Sequence, residues 1–374
     1  MLEIREVKNR LDLNRFISFP IKLYKGVEYF VPDLAVDEIH KFGKKENEFS
    51  DSCKHKCFIA FRDGKIVGRI AGIIQQAHNQ KSGAKRVRFS RFDSIDDREV
   101  AHSLFWAVEA WAKTEGMEEI HGPLGFNDLD REGMLIKGFD QLCTFEEQYN
   151  YDYYPKLVES YGFKKETDWL EYRLFKPKER NLRMKMLAEA VIKRYKLRAL
   201  TPTNLNKFVK QYSDGFFECI NRAYAPLHGV VPIEGKVKKA IINQFKMVLN
   251  PNFIIILVDE NEKIVAIGFA LPNMSDSVNK SKGKLFPFGI FRILKDIKHP
   301  KKADLGLIAV VPEYQNKGLN AVMMNFLFET MIKFNLEYCE TNLNLEDNSK
   351  VQAQWGEFEY IQHKRRRCYT KKIT

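Results

Sequence analysis

The chain lacks the features that would assign it to a membrane or secreted class. It has no run of about 20 apolar residues, which is the length a helix needs to cross a bilayer. Its densest apolar run, residues 253–258, has the length of a buried strand. The N-terminal residues also lack the apolar core of a signal peptide. These absences predict a cytoplasmic protein.

Cysteine is scarce, with six residues in a chain of 374. Only Cys53 and Cys57 lie close together, and no second ligand pair accompanies them as a structural zinc site would require. We therefore expect reduced thiols in a cytoplasmic protein and no bound metal.

Acidic residues are outnumbered by basic ones, which gives a net charge of +12 and a pI near 9.2. The basic residues cluster at residues 280–284, 295–302 and 364–367. Such an excess favours an anionic partner, which could be a phosphate-bearing ligand, a membrane surface or nucleic acid. The chain shows no zinc-finger, RRM or basic-zipper pattern, so we do not expect specific nucleic-acid binding.

The chain contains the same structural plan twice. Residues 57–73 and residues 252–271 each read as two apolar strands joined by a polar turn, which is typical of a β-hairpin. The two copies lie roughly 200 residues apart, too far for a solenoid repeat, so they indicate domain duplication. We predict an N-terminal domain at 1–176, a helical linker at 177–203 and a C-terminal domain at 204–374.

Each hairpin is followed by the same order of elements. A strand, a helix, a second strand, a further helix and a terminal strand are predicted in both halves, with residues 303–311, 318–334 and 337–345 forming the first three of these in the second half. This order predicts an α/β (α+β) fold. Each domain would have a mixed, mostly antiparallel sheet flanked by helices.

The most informative stretch, residues 305–328, runs from an apolar strand through a polar loop into an amphipathic helix. The loop contains Gln315-x-x-Gly318-x-Asn320, and it could place backbone N–H groups and the positive end of the helix around a pyrophosphate. Glycine would let the phosphate approach the main chain closely. The alternative is an ordinary strand–turn–helix connection. The corresponding turn in the first half, residues 92–99, has no glycine and several carboxylates, which would repel a pyrophosphate.

The stretch resembles the acyl-CoA-binding motif of the GNAT (Gcn5-related N-acetyltransferase) superfamily, and the element order resembles the GNAT core. The resemblance implies that main-chain groups of the strand bind pantetheine, that the loop binds the pyrophosphate, and that an Asn after the next strand contacts the pantetheine region. Asn320 departs from the usual Gly or Ala. The residues implied in cofactor binding are Ala309, Val310, Val311, Gln315, Asn316, Lys317, Gly318, Leu319, Asn320 and Asn348.

Longer sequence motifs across most of the chain resemble those of a bacterial family of tandem GNAT proteins labelled acyl-CoA N-acyltransferase-like. One branch of that family is associated with ceramide synthesis, in which a long-chain amine is acylated. These motifs are His121-Gly-Pro-Leu-Gly-Phe-Asn, Gly133-Met-Leu-Ile-Lys-Gly-Phe-Asp, Asn150-Tyr-Asp-Tyr-Tyr-Pro, Gly283-Lys-Leu-Phe-Pro-Phe-Gly, Leu307-Ile-Ala-Val-Val-Pro and Asn344-Leu-Glu-Asp-Asn.

The strand predicted at residues 337–345 begins a row of polar residues with a period of two. They are Glu340, Asn342, Asn344 and Glu346. Residues at this spacing share one face of a strand. N-acyl transfer needs a base for the attacking amine, and we expect Glu346 first and Glu340 second to supply it. Asn342 and Asn344 would contact substrate. The alternative is a solvated edge face.

Asp304, at the start of the preceding strand, is a third candidate base, although a strand-end carboxylate is often structural. The resemblance also implies a Tyr seven residues after Asn348 as the acid for the leaving thiolate, and Trp355 stands there. An indole cannot act as a general acid near neutral pH. Tyr369 could substitute, or water could, or the site is inactive.

Two further regions are candidates for ligand contact. Residues 282–302 interleave aromatic and aliphatic side chains with lysines, a composition typical of a segment on an anionic membrane surface or along an acyl channel; the alternative is a structural lid. In the first half, His121, Asn127, Asp128 and Asp130 follow a strand and could contact substrate in a cleft between the domains. A lone His is more often structural.

The sequence therefore predicts an N-acyltransferase that uses acetyl-CoA or a longer acyl-CoA, with a lipidic amine as the favoured acceptor and no metal. It would be a cytoplasmic monomer or homodimer that could associate with the periphery of the inner membrane. Two alternatives stay open. One is a Fem-like transferase that uses aminoacyl-tRNA, and the other is a non-catalytic protein that binds acyl-CoA or lipid.

Overall fold

A computed structural model describes residues 1–43, 49, 51–127, 129–225, 230, 232–246 and 248–373, with the side chains of residues 244 and 245 excepted. Asp128, one of the candidate contacts of the first half, lies outside these residues. Within them, no helix is both long enough and apolar enough to cross a bilayer.

The fold contains short and long strands in both halves of the chain. They are β1 (Leu2–Glu6), β2 (Cys53–Arg62), β3 (Lys65–Gln75), β4 (Arg86–Ser94), β5 (Glu119–Gly122), β6 (Met134–Lys137), β7 (Lys164–Phe175), β8 (Arg198–Leu200), β9 (Ile254–Val258), β10 (Ile264–Pro272), β11 (Lys302–Val310), β12 (Tyr338–Glu340), β13 (Asn344–Leu345) and β14 (Tyr360–Lys372).

The α-helices are α1 (Arg10–Leu23), α2 (Ala35–Phe42), α3 (Gln76–Ser82), α4 (Arg98–Thr114), α5 (Tyr154–Ser160), α6 (Leu182–Arg194), α7 (Leu205–Tyr224), α8 (Gly235–Lys246), α9 (Ser275–Lys280), α10 (Gly289–Lys298), α11 (Leu319–Lys333) and α12 (Ser349–Gln352). Three 3-10 turns lie at Pro251–Phe253, Pro312–Tyr314 and Ala353–Glu357.

The chain divides into two compact units. Unit 1 contains Met1–Leu170, Ser275–Ile290 and His363–Thr374, and unit 2 contains Glu171–Met274 and Phe291–Gln362. Both predicted hairpins are present, as β2–β3 in unit 1 and β9–β10 in unit 2. Each unit has a mixed sheet flanked by helices, as the sequence predicts.

In unit 1 the sheet runs in the order β1-β2-β3-β4-β5-β14. The first four strands are antiparallel, β4 and β5 are parallel, and the C-terminal part of β14 runs antiparallel to β5. Helix α4 packs on this sheet and buries one face, because its apolar residues recur at helical spacing. Its buried side chains include Val100, Leu104, Phe105, Val108 and Trp111.

In unit 2 the sheet runs in the order β8-β9-β10-β11-β12, and the end of β7 completes it. Strands β8 to β11 are antiparallel, β11 and β12 are parallel, and β12 pairs antiparallel with residues 173–175 of β7. Helix α11 packs against α6, and α7 contacts β10 and β11. Strand β9 is buried along its whole length, as its continuous apolar sequence predicts.

The two halves exchange their terminal strands, which changes the predicted domain boundaries. Residues 369–372, from the end of the chain, pair with β5 in unit 1, and residues 173–175, from the first half, pair with β12 in unit 2. The predicted linker also contains α6, which packs on α11 as part of unit 2. The two strands of a hairpin are neighbours in sequence, so a local pattern predicts their pairing. A terminal strand can pair with a distant segment, so no local pattern predicts this exchange.

The strand predicted at residues 337–345 is wrong. Only Tyr338–Glu340 and Asn344–Leu345 are strands, and residues 341–343 leave the ladder. Asn342 donates its side-chain amide to the Gly306 carbonyl, and Asn344 donates to the Thr341 hydroxyl at 2.9 Å. Asparagine side chains that bond local polar groups compete with a strand ladder in this way. The expected shared face of Glu340, Asn342, Asn344 and Glu346 is therefore not formed.

The strand exchange predicts that unit 1 needs the end of the chain. Removing residues 363–374 should lower hydrogen-exchange protection in β5 and β6, because it deletes the strand with which both pair and five buried side chains, His363, Lys364, Arg366, Cys368 and Tyr369. Mass spectrometry would measure this loss, with β9 of unit 2 as the internal reference. Removal of residues 373–374 alone is the control. Unchanged protection in β5 after the long deletion would contradict the strand exchange.

Candidate functional site

The central feature of unit 2 is the divergence of β11 from β12. The two strands pair only over three residues, from Lys302 opposite Tyr338 to Asp304 opposite Glu340. Beyond that point β11 continues to Val310 beside β10, while the chain after Glu340 turns away. Among the described residues, no strand therefore pairs with this edge of β11 from residue 306 onwards.

Three main-chain carbonyls lie along this open edge, and each accepts a hydrogen bond from a side chain. The Gly306 carbonyl accepts from Asn342 Nδ2 at 2.7 Å, the Ile308 carbonyl from Tyr224 Oη at 2.8 Å, and the Val310 carbonyl from Gln315 Nε2 at 3.1 Å. The donors come from three separate segments of unit 2. The edge is thus held in place although no strand covers it.

The alternation of β11 decides which main-chain groups point to this edge. The Val311 N–H donates to the Val265 carbonyl next to β10 at 3.0 Å, so residues 309 and 311 face β10 in the antiparallel ladder. Ile308 and Val310 face the other way. Of the residues predicted to contact pantetheine, Val310 therefore faces the open edge, whereas Ala309 and Val311 face β10, and all three contacts stay predictions. Ile308 also faces the open edge and was not among the predicted residues, because sequence does not set the phase of the ladder.

A β-bulge at Gly306 lies next to the divergence. The register with β10 shifts there, with Phe269 opposite Leu307 and Ala270 opposite Leu305. A Cβ on Gly306 would lie 2.2 Å from the Phe269 ring, so only glycine fits. Bulges locally re-aim main-chain groups, and this one turns the strand at the start of its open edge.

The loop after β11 leads into the N-terminus of α11. Gly318 has φ +81° and precedes the first helical residue, and no side chain caps that end of α11 among the described residues. Asn316 also has positive φ, at +58°. Residues 315–318 and Asn320 are exposed, whereas Leu319 is buried and anchors the helix. Uncapped N–H groups at an exposed helix start are suited to an anion, and the binding of a pyrophosphate by this loop stays a prediction.

Positive and aromatic side chains surround this helix start. The Lys317 ammonium lies 5.4 Å from the Tyr195 ring centroid and 5.0 Å from that of Tyr314. The Arg194 guanidinium lies 5.5 Å from the Tyr195 ring. Arg194 and Tyr195 come from the end of α6, which reaches the loop because Val191 packs against Gly318. No local pattern predicts this contribution, since about 120 residues separate the two segments.

A row of charged residues crosses the sheet where β11 and β12 part. Asp304 is the register partner of Glu340, and Glu340 is the partner of Arg173 on β7. Arg173 donates from Nε and Nη2 to one Glu340 oxygen at 3.1 and 2.9 Å, and Asn273 Nδ2 donates to Asp304 at 2.7 Å. Both carboxylates are buried. Two of the three predicted bases thus lie side by side at the divergence.

Cys339 immediately precedes Glu340 in β12, so its side chain points to the opposite face of the sheet. Burial raises the pKa of its thiol well above the usual value, and the charges of Asp304 and Glu340 raise it further. A protonated, buried thiol is not a nucleophile. The chemistry of this region therefore depends on its carboxylates.

The remaining predicted residues of unit 2 follow β12 in the sequence. Glu346 is half-buried in the loop after β13, away from the Asp304–Glu340 row in the ladder. The Asn348 side chain caps α12 by accepting from the Val351 N–H at 3.3 Å. The Trp355 indole is buried and donates to Asn344 Oδ1 at 3.3 Å. Asn344 thus supports the loop, and its predicted contact with substrate, like those of Asn342 and Asn348, stays a prediction.

Unit 1 has the same divergence, but its own chain covers the edge. Strands β4 and β5 pair only from Arg86 to Arg88. Further along β4, the Phe89 carbonyl accepts from the Leu124 N–H at 2.9 Å, the Phe92 carbonyl from Gln148 at 3.2 Å, and the Ser94 carbonyl from Tyr153 at 2.7 Å. This covering adds a second reason, besides the carboxylates of the loop, for expecting no acyl-CoA at unit 1.

Buried ion pairs stabilise this filled region. Arg91, at a bulge of β4 with φ +50°, donates to Glu38 and Asp130 at 2.9 Å each, and Lys41 also donates to Asp130. Although burial opposes it, the charges of Arg91 and Lys41 hold the pKa of Asp130 well below its usual range. The Asn127 side chain accepts from the Leu129 N–H at 3.0 Å as part of the same loop. Asp130 is therefore structural.

His121 lies buried in β5 with its Nδ1 3.5 Å from Glu166, and the Cys368 thiol donates to the same carboxylate at 3.4 Å. Within the described part of the chain, these three side chains form the one group spaced to hold a metal ion. However, Arg86 already donates to Glu166 at 2.8 Å, so a cation is present beside the carboxylate. The donor set does not favour a metal. The predicted contacts of His121 and Asn127 with substrate stay predictions.

Tyr369, the other candidate acid, is buried in unit 1 and donates to Glu159 at 3.1 Å. Burial and the charge of Glu159 raise the pKa of Tyr369. Its hydroxyl therefore keeps its proton and has a structural partner.

Comparison with solved structures identifies this architecture. The tandem GNAT protein from the clavulanic acid biosynthesis pathway matches with a TM-score of 0.57 and 11% identity, covering 100% of this chain and 99% of that one. A GCN5-related N-acetyltransferase from Sphaerobacter thermophilus matches with a TM-score of 0.53 and 10% identity, covering 100% and 96%. The chain therefore has the tandem GNAT fold, and the predicted fold class is confirmed.

Two curated proteins resemble the chain in sequence. It is 27% identical over 382 residues to Protein YghO of Escherichia coli (strain K12), covering 99% of this chain and 95% of that protein. It is 26% identical over 322 residues to bacterial ceramide synthase of Caulobacter vibrioides (strain NA1000 / CB15N), covering 84% and 82%. No protein-family model matches. The resemblance to the tandem GNAT proteins and to their ceramide-synthesis branch is thus confirmed.

The burial of His121 predicts a pH dependence of stability. Burial lowers the pKa of His121 from 6.5 to about 4, so the unfolded chain takes up a proton that the folded chain does not. Stability should therefore fall as the pH falls from about 6.5 towards 4, with this group contributing about 2 kcal/mol between pH 7 and pH 5. Urea unfolding followed by tryptophan fluorescence would measure it.

His121→Gln should flatten this pH dependence, whatever it does to stability at pH 7, and His299→Gln at an exposed position is the control. A His121→Gln protein with the full wild-type loss of stability between pH 7 and pH 5 would show that this histidine is not responsible.

Proposed function

We propose that this protein is an acyl-CoA-dependent N-acyltransferase in which unit 2 binds the donor and the acceptor is a lipidic long-chain amine. The observation that carries the proposal is the open edge of β11, which leads directly into the exposed, uncapped start of α11. The tandem GNAT fold and the similarity to bacterial ceramide synthase support it.

The residues present fit an acyl-CoA. The main-chain N–H groups of Ile308 and Val310 would donate to pantetheine along the open edge, where the carbonyls of the same residues already accept from Tyr224 and Gln315. The loop from Gln315 to Asn320 would hold the pyrophosphate, with Lys317 adding positive charge. Acyl-CoA supplies the activated acyl group. A phosphate at the helix start gains from the N–H groups and from the helix dipole together.

The reaction joins the amine nitrogen to the acyl carbon while the carbon–sulfur bond breaks, and the proton lost by the amine must be accepted. We assign this to Glu340, supported by Asp304. Arg173 and Asn273 fix both groups, which keeps the accepting oxygen oriented. Glu346 is retained as the competing candidate base.

Trp355 replaces the expected acid, so the leaving thiolate needs another donor. Tyr224 already directs its hydroxyl to the open edge at the Ile308 carbonyl. Burial raises the pKa of Tyr224, so its hydroxyl stays protonated and acts as a hydrogen-bond donor. We assign it to stabilise the thiolate, which then takes its proton from water. Sequence did not indicate Tyr224, because it lies 84 residues before its partner on a different element.

Donor binding can be tested with a thermal-shift titration of CoA, acetyl-CoA and longer acyl-CoA esters. A ligand at about 100 times its Kd should stabilise the fold by about 2.7 kcal/mol. Gly318→Glu should abolish the shift, because it places a carboxylate where the phosphate binds. Gly235→Glu, at another exposed positive-φ glycine of unit 2, is the matched control. No stabilisation by any ester, or an equal loss in both variants, would contradict the assignment.

Catalysis can be tested by following thiol release with a sphingoid-type amine as acceptor. Glu340→Gln should lower kcat about a hundred-fold or more, since general bases contribute 10²- to 10⁴-fold. Glu346→Gln is measured in parallel. Loss of activity only in Glu346→Gln would assign the base to Glu346. Full activity in both variants would show that neither residue is the base.

Tyr224→Phe should lower kcat about ten-fold with little change in KM, because it removes a hydrogen bond formed to the charged leaving group. Tyr212→Phe, on the exposed part of the same helix, is the control. A rise in KM at constant kcat would show that Tyr224 only shapes the donor site. Binding of acyl-CoA without turnover of any amine would favour the non-catalytic alternative, and binding of tRNA would favour the Fem-like one.

A further inference from the structure

We propose that the outer face of α10 docks on an anionic membrane surface. Four of the fifteen exposed large hydrophobic side chains of the described surface fall within residues 286–294. Phe286 is 78% exposed, Phe288 68%, Phe291 67% and Leu294 48%. Apolar groups this concentrated and this exposed usually mark an interaction site.

The exposed residues of α10 form one stripe. Leu294 and Lys295 follow Phe291 by three and four residues, and Lys298 follows Leu294 by four. All four are exposed, so they share the outer side of the helix. The aromatic and aliphatic groups lie toward the start of the helix and the lysines toward its end. Lysines at a helix C-terminus are also favourable for the helix dipole.

The other side of α10 is fixed to unit 2, so the exposed face belongs to a folded helix. Ile293 is buried, and the Asn250 side chain donates to the Ile297 carbonyl at 2.8 Å. The apolar face is therefore not exposed by fraying. It is presented outward by a helix whose inner side is anchored.

Charge identifies the partner as an anionic bilayer. Residues 280–302 contain eight Lys or Arg residues and a single acidic residue, Asp296. A helix with an apolar stripe and a basic surround lies in the plane of an anionic membrane interface, with its aromatic groups in the headgroup region and its lysines on lipid phosphates. Each such lysine strengthens membrane partitioning roughly five-fold. A protein partner would not require this one-sided charge.

This docking is independent of the proposed reaction, although it would bring the protein to the compartment where a lipidic amine resides. Failure of vesicle binding would leave the thermal shift with acyl-CoA intact, and failure of the thermal shift would leave vesicle binding intact. The two proposals are therefore separable.

The test is flotation of the full chain with vesicles of phosphatidylcholine alone, or of two parts phosphatidylcholine and one part phosphatidylglycerol. We expect binding only to the second, weakened by salt. Phe291→Ser/Leu294→Ser should weaken it at least ten-fold, and Lys295→Glu/Lys298→Glu likewise. The matched control is Leu182→Ser/Met186→Ser, a hydrophobic pair on α6 that is at least as exposed, at 67% and 69%, and it should bind as wild type.

Several outcomes would overturn the proposal. They are no binding to anionic vesicles, equal binding to both vesicle types, or binding lost in the α6 control and kept in the α10 variants. If Phe291→Ser/Leu294→Ser instead abolishes a dimer seen by light scattering, the face is a contact between copies. If it removes only the dependence of acyl-CoA binding on chain length, the face lines an acyl channel. Unfolding is checked by circular dichroism for each variant.

Discussion

The open edge of β11 is the constraint on which the rest of unit 2 depends. A strand that loses its neighbour exposes main-chain groups, and an unpaired edge invites wrong pairing unless other groups occupy it. Here Asn342, Tyr224 and Gln315 satisfy three successive outward carbonyls. The edge is therefore ordered and open at once, which is what a strand needs if it is to pair with an extended ligand.

The comparison of the two units supports this view. Both have a parallel strand pair that diverges after three residues, and both have a bulge close to that point. Unit 1 closes its edge with Leu124, Gln148 and Tyr153 and fills the region with buried ion pairs around Arg91. The edge of β11 in unit 2 is thus open, and the corresponding edge of β4 in unit 1 is covered. Buried, fully paired charges cost much to rearrange, so unit 1 is expected to stay closed.

Sequence predicted the features that are local. The hairpins and the strand–loop–helix around Gly318 follow from periodicity and turn chemistry within short windows, whereas the period-two argument for Glu340 rested on a shared strand face that is not formed. It could not predict the exchange of terminal strands, the approach of Arg194 and Tyr195 to the loop, or the bond from Tyr224 to Ile308, because these join distant segments. The predicted strand of residues 337–345 failed because Asn342 and Asn344 bond nearby groups in place of a ladder.

The most direct test of the account is hydrogen exchange of peptides covering residues 305–320, with and without a long-chain acyl-CoA. Pairing of a ligand with β11 and capping of α11 should slow exchange at Ile308, Val310 and residues 318–320, while the covered edge of unit 1 at residues 89–94 should not change. Protection in both units would contradict the assignment of the donor to unit 2. No protection along residues 305–320 at saturating ligand would show that the open edge of β11 is not a binding site.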